Sequence, residues 1–399
     1  MTKHFGRSYV ATPGPSVIPE RVLRAMHQPA PNIYSSELEA LVESIIVDLK
    51  VLVGTKYYSV IYIANGHGAW EAAIANLFAP GDEILTLNTG IFAQGWASCA
   101  EAMGIKVHTL DFGLNHPVDL DQFADRIKLD SNKTIKGIIV CQADTSTSVK
   151  NDIQGISTVL KTLNHPAILA VDCIASFGCD YFSMDDWDVD VVLSASQKGL
   201  MTPPGLAFLS FNERARECAK NKQHNSLYWD WERRIFPEEF YFYFCGTAPT
   251  HHLYGLREAL NMIIHEEGKM EVFKRHKRMA RMIWAAIDAW ALSGPITINI
   301  ADPKCRSHAV TVVKVGAPYG SELRHWVEDH TGLTLGIGLG MGTKEDPNST
   351  GIFRIGHMGH VNGNMIMGLL GSIEAGFEHL AIPRGAGAIG AAAKVLATS

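Results

Sequence analysis

The chain has 399 residues, with 35 basic against 41 acidic side chains and a net charge of −6. That length allows two domains around a large core, and the ordinary share of apolar residues excludes a disordered or fibrous chain. The charge sign, with no run of Lys or Arg, argues against nucleic acid or an anionic membrane surface as partner. Seven cysteines are scattered without metal-ligand spacing, which points to free thiols in a reducing, cytoplasmic setting. The opening residues Met1 to Arg7 lack the apolar stretch of a signal peptide, and no apolar run reaches membrane-spanning length.

Thr12-Pro13-Gly14-Pro15 reads as a loop. From Glu37 to Val53, apolar residues at three- and four-residue steps predict a helix. Strands then alternate with helices. The strands are expected at 60–63, 84–87, 106–110, 135–140, 168–171, 189–193 and 206–211. The helices between them are expected at 68–78, 92–103 and 156–163. This rhythm predicts a mostly parallel sheet covered on both faces. An aromatic stretch from Tyr228 to Phe244 interrupts it. Helices are then predicted over 253–264, ended by Gly268, and over 272–292. A smaller α/β unit follows, with strands at 309–315 and 353–355 and helices at 321–330 and 365–380. The Gly/Ala-rich tail from Gly385 to Ala393 is expected to fray.

In a parallel sheet, ligands collect at the carboxyl ends of the strands. Five predicted strand ends carry residues of interest. Asn65-Gly66-His67-Gly68 opens a helix, where free N–H groups favour a phosphate; an ordinary strand–helix turn explains it equally. Phe92 offers a flat face for stacking, or a place in the core. Asp144-Thr145-Ser146-Thr147 offers a hydroxyl to a ligand, or a helix cap. Asp172 and Lys198 end two apolar runs. Together, a phosphate cradle, an aromatic face, a hydroxyl, a carboxylate and a lysine fit pyridoxal phosphate. Its aldehyde needs an amine, and its ring nitrogen needs an acid. Arg354, flanked by apolar residues, needs either a substrate carboxylate or an internal ion pair.

These motifs resemble the class V aminotransferases among the fold-type I pyridoxal phosphate enzymes, and most of all the serine–glyoxylate and alanine–glyoxylate group. The likeness rests on Ser196-Gln197-Lys198-Gly199 and Phe353-Arg354-Ile355-Gly356-His357. It also rests on Ala69-Trp70-Glu71-Ala72-Ala73, Ala79-Pro80-Gly81-Asp82 and Tyr228-Trp229-Asp230-Trp231. It implies a large cofactor domain with a seven-stranded, mostly parallel sheet between helices, and a smaller C-terminal α/β domain. The division expected is an N-terminal segment 1–20, a large domain 21–255 and a small domain 256–399.

The resemblance further implies that Lys198 forms the internal aldimine with pyridoxal 5'-phosphate and that Asp172 pairs with the pyridine nitrogen. Phe92 would stack on one ring face and Ile174 press on the other, with Thr145 near the ring oxygen. Asn65, Gly66, His67 and Gln197 would hold the phosphate, with Thr247 reaching across from the partner of a homodimer. Arg354 would grip the substrate carboxylate, and Tyr34 would stand near the amino donor. The activity implied is transfer of an amino group from serine or alanine to glyoxylate, or to pyruvate, by alternating donor and acceptor. Asn65 replaces a usual Ser, Asn32-Ile33-Tyr34 replaces a more charged loop, and Gln142-Ala143-Asp144 replaces a usual His-Asn-Glu. Tyr34 brings in an alternative, a pyridoxamine–pyruvate type of aminotransferase. A regulatory protein that binds the cofactor without turnover is the alternative outside enzymes.

Overall fold

A computed structural model of the chain describes residues 6–222 and 226–398. The N-terminal reading on Met1 to Phe5 lies outside these residues. The chain opens with a three-residue strand, β1 (Tyr9–Ala11), and then builds a seven-stranded sheet. Its strands are β2 (Tyr58–Ala64), β3 (Glu83–Asn88), β4 (Lys106–Asp111), β5 (Ile135–Cys141), β6 (Ile168–Asp172), β7 (Val191–Ala195) and β8 (Gly205–Phe211). The spatial order is β2-β8-β7-β6-β5-β3-β4. β8 runs antiparallel to both neighbours, and the remaining pairs are parallel.

Every residue of β6 and β7 is buried, as expected of strands covered on both faces. The pleat divides them. Leu169 and Val171 join one core, while Ile168 and Ala170 join the core on the opposite face. Because β2, β3, β5, β6 and β7 all point the same way, their carboxyl ends form one rim.

A second, five-stranded sheet has the order β1-β11-β12-β10-β9. Its later strands are β9 (Thr297–Ile298), β10 (Val310–Lys314), β11 (Leu333–Ile337) and β12 (Ile352–Gly356). Its core gathers Ile283, Trp290, Phe353 and Phe377. The N-terminal strand is thus hydrogen-bonded to the smaller sheet, parallel to β11. The helix Thr250–Leu260 continues as a wider π-helical turn, Asn261–Glu267. Gly268, at φ 90°, then turns the chain into the helix Lys269–Ala291.

The Gly/Ala-rich tail differs from expectation. Ala388–Ala397 is a helix, with Ala388 and Ala392 fully buried in the second core. Small side chains let it lie close to its neighbours, so the composition that suggested fraying instead serves packing.

Candidate active site

The rim of the large sheet encloses a cavity of about 250 Å³. It is lined by Asn65, Gly66, His67, Trp70, Phe92, Ala143, Thr145, Asp172, Ile174, Ala175, Gln197 and Lys198. Nine residues expected from the sequence are therefore brought to one cavity. A larger hollow of about 550 Å³ lies beside Lys56, His165 and Arg214. There Arg214 is already committed to the buried Asp190.

Asp172 sits at the last position of β6, aligned with Cys141 of β5. It is 3% exposed. One carboxylate oxygen accepts from the Ile174 backbone N–H at 2.7 Å, and the other from the Trp70 indole N–H at 2.7 Å. Burial pushes its pKa up to about 7, against the pull of those two donors. A cation arriving in the cavity would favour the ionised form.

Lys198 follows β7 on the adjacent strand end. Burial lowers its pKa to about 8; the Arg354 charge pushes the same way and the Asp172 charge opposes it. Its ammonium donates to the Pro13 carbonyl. The loop Thr12 to Pro15 therefore lies across the lysine, and Ser16 ties it down by donating to the Lys198 carbonyl at 2.7 Å. Gly14 has φ +89°, and a methyl there would come within 2.5 Å of Lys198 Nζ. The left-handed backbone angle requires glycine, and a methyl there would push the flexible end of Lys198 aside.

The helix Gly66–Leu77 starts two residues earlier than its apolar pattern suggested, with Asn65 as its cap. The Asn65 side-chain oxygen accepts from His67 and Gly68 N–H at 3.1 and 3.4 Å. Gly66 is buried against Ile174, and a methyl on it would overlap that side chain. The helix start points its positive end into the cavity, where an anion is favoured. Gln197 Oε1 is buried with no partner among the described residues. Trp70 lines the cavity, its ring 4.5 Å from His67 and 6.4 Å from Phe92 between centroids.

Arg354 lies on β12 and is 7% exposed. It donates to the Ile337 carbonyl at 2.6 Å and the Thr145 carbonyl at 2.8 Å. No acid forms an ion pair with it among the described residues, so the internal-pair explanation left open by the sequence does not apply. Burial lowers its pKa to about 10, and it remains a cation at neutral pH. The two carbonyls aim it without neutralising it.

Tyr34 and Thr247 are not brought to the cavity within one chain. Tyr34 is 90% exposed, and Thr247 is also on the surface. Sequence reasoning missed Trp70, whose signal is hidden in an apolar helical stripe. It also missed Pro13, Gly14 and Ser16 beside the lysine.

The residues fit pyridoxal phosphate. A buried carboxylate, a lysine whose pKa burial lowers and a helix start lining the same cavity match its ring nitrogen, aldehyde and phosphate. The family model described as aminotransferase class-V matches residues 8–338. A serine–glyoxylate aminotransferase of Arabidopsis thaliana is 32% identical over 381 residues, covering 95% of this chain and 92% of that one. The crystal structure of a ureidoglycine–glyoxylate aminotransferase of Bacillus subtilis superposes with a TM-score of 0.88 at 25% identity, over 100% of both chains. A pyridoxamine–pyruvate aminotransferase of Mesorhizobium loti has the same fold, with a TM-score of 0.88 at 24% identity over 100% of this chain and 99% of that one.

Proposed function

The chain belongs to the class-V aminotransferase family and is an aminotransferase, and from that premise we propose that it uses pyridoxal 5'-phosphate to carry an amino group from serine or alanine to a 2-oxo acid, glyoxylate first. The observation that carries the reading is the pairing of Asp172 and Lys198 at neighbouring strand ends in one buried cavity. When bound, the cofactor supplies an aldehyde to exchange the amino group and a conjugated ring that draws electron density from the substrate Cα.

The protein's own groups do the rest. Asp172, oriented by the Trp70 and Ile174 N–H groups, would hold a proton toward the ring nitrogen. Lys198 Nζ would anchor the cofactor, and its amine would move the substrate Cα proton as a general base. Phe92 and Ile174 would hold the ring between them, with Thr145 offering a hydroxyl to it. Asn65, Gly66, His67 and Gln197 hold the phosphate at the helix start. Arg354 grips the carboxylate that donor and acceptor share. One such grip serves both acids, so they bind in turn and the kinetics are ping-pong.

Exposed Thr247 and Tyr34 are explained if two copies complete each other's sites as a homodimer. Seven unpaired cysteines fit a cytoplasmic setting. Among the described residues no helix is long and apolar enough to cross a membrane. We place the domain division at residue 255, with 1–20 as a separate N-terminal segment. The pyridoxamine–pyruvate alternative has the shared fold and Tyr34 behind it, and it stands second because the helix start at Gly66 and His67 lines the cavity where a phosphate would sit. Borohydride reduction of the cofactor-loaded protein tests the reading. A pyridoxyl label on the Lys198 peptide is expected, and a label elsewhere or none overturns it.

A further inference from the structure

We propose that Asp144, which does not line the cavity, is a positioning residue that sets the ring-stacking Phe92 and the carboxylate-gripping Arg354 together. The inference rests on the aminotransferase reading above. Asp144 is fully buried. One of its oxygens accepts from the backbone N–H groups of Phe92 and Ala93 at 3.0 and 3.3 Å. The other accepts from the Ser146 backbone N–H at 2.9 Å and the Ser146 hydroxyl at 2.6 Å. That hydroxyl in turn accepts from the Ile91 N–H at 3.1 Å.

The helix Ile91–Ala102 starts after Gly90, which has no side chain to cap it. Its first three N–H groups are therefore satisfied from a different strand end, more than fifty residues later. The cap fixes where Phe92 stands. The same carboxylate shapes the turn after β5, closed by Ser148 N–H donating to the Asp144 carbonyl at 2.8 Å. Within that turn the Thr145 carbonyl receives Arg354. One side chain thus joins the group covering the ring to the group gripping the substrate.

The fit is tight. A methyl on Gly90 would lie 2.6 Å from each carboxylate oxygen, so the loop before the helix is moulded onto Asp144. The Asp144 charge also favours the cationic forms of Arg354 and Lys198. An amide at this position keeps the shape, yet only one of its two ends can accept, so one set of donors loses its partner.

The test compares wild type with D144N as purified holoenzymes. The measurements are pyridoxal phosphate affinity, the induced circular dichroism of the bound cofactor, glyoxylate KM against kcat, and thermal unfolding. Expected for D144N are a cofactor Kd and a glyoxylate KM each raised about tenfold, with a weakened dichroic band. In a Phe92→Ala background, D144N should add less than about twofold to the loss of cofactor affinity. A folded D144N with unchanged Kd, dichroism and KM overturns the inference, as does full additivity with Phe92→Ala. Should D144N not fold, Ser146→Ala deletes one donor to the carboxylate and the acceptor for Ile91. It must raise the same two constants, and unchanged constants overturn the proposal. A wild-type chain that takes up no pyridoxal phosphate sinks the cofactor reading and this inference with it. Loading by wild type with no change in the variants sinks the inference alone.

Discussion

The Lys198 amine is the most directly measurable consequence of the fold. An ordinary lysine, at 10.5, has about 0.03% free amine at pH 7, whereas Lys198, at about 8, has about 9%. The site therefore raises the nucleophilic form roughly 300-fold at neutral pH. The sign follows from the causes. Burial disfavours the ammonium and Arg354 repels it, while Asp172 favours it. In cofactor-free protein, a limiting amine-acylating reagent should label Lys198 at a rate that climbs with pH and levels off above about 8. Mass spectrometry of the Lys198 peptide reads that rate, with exposed Lys136 as the internal reference. Arg354→Met, which keeps apolar bulk but removes the charge, should move the inflection up. Asp172→Asn should move it down. An inflection near the ordinary lysine value of 10.5, or one that ignores both substitutions, would refute the electrostatic account of the lysine.

Three other outcomes follow from the same contacts. Trp70→Phe deletes one of two donors to the Asp172 carboxylate, so the Asp172 pKa should rise further and the cofactor Kd increase about tenfold. A cofactor titration from acid to neutral pH checks this, and the loss of binding on acidification should begin at a higher pH than in wild type. Arg354→Gln should raise KM for donor and acceptor acids alike, by about a hundredfold, while cofactor affinity changes less than about twofold. Steady-state kinetics beside a cofactor titration separates the two effects. Gly14→Ala forces a methyl against Lys198 at a backbone angle that disfavours side chains, so kcat should fall more than about tenfold with a smaller loss of thermal stability.

Much of this was legible in the sequence, for physical reasons. β6 and β7 are covered on both faces, so they read as unbroken apolar runs, and the polar residue ending each run stands out. Asp172 and Lys198 could be picked out on that basis. The rest depended on contacts between distant segments. β1 is three residues long and has meaning only beside β11. Trp70 sits in the stripe Ala69 to Ala73, where an indole resembles core, and its N–H is informative only once Asp172 faces it. Asp144 could be read as a local cap, but it caps a helix that starts at Ile91. Thr12 to Pro15 reads as a loop, yet nothing in its own residues says that it lies on the lysine. The tail from Gly385 onward looked frayed because small residues lack an apolar stripe of their own, while close packing onto the second core needs that smallness.

Transfer of the amino group itself is the most direct test of the central claim. The cofactor-loaded protein is given heavy-nitrogen serine or alanine together with glyoxylate, and the glycine formed is examined by mass spectrometry. The account predicts labelled glycine, made in ping-pong fashion and lost in Lys198→Ala. It is contradicted if cofactor is bound at Lys198 and no amino acid passes its nitrogen to glyoxylate or pyruvate.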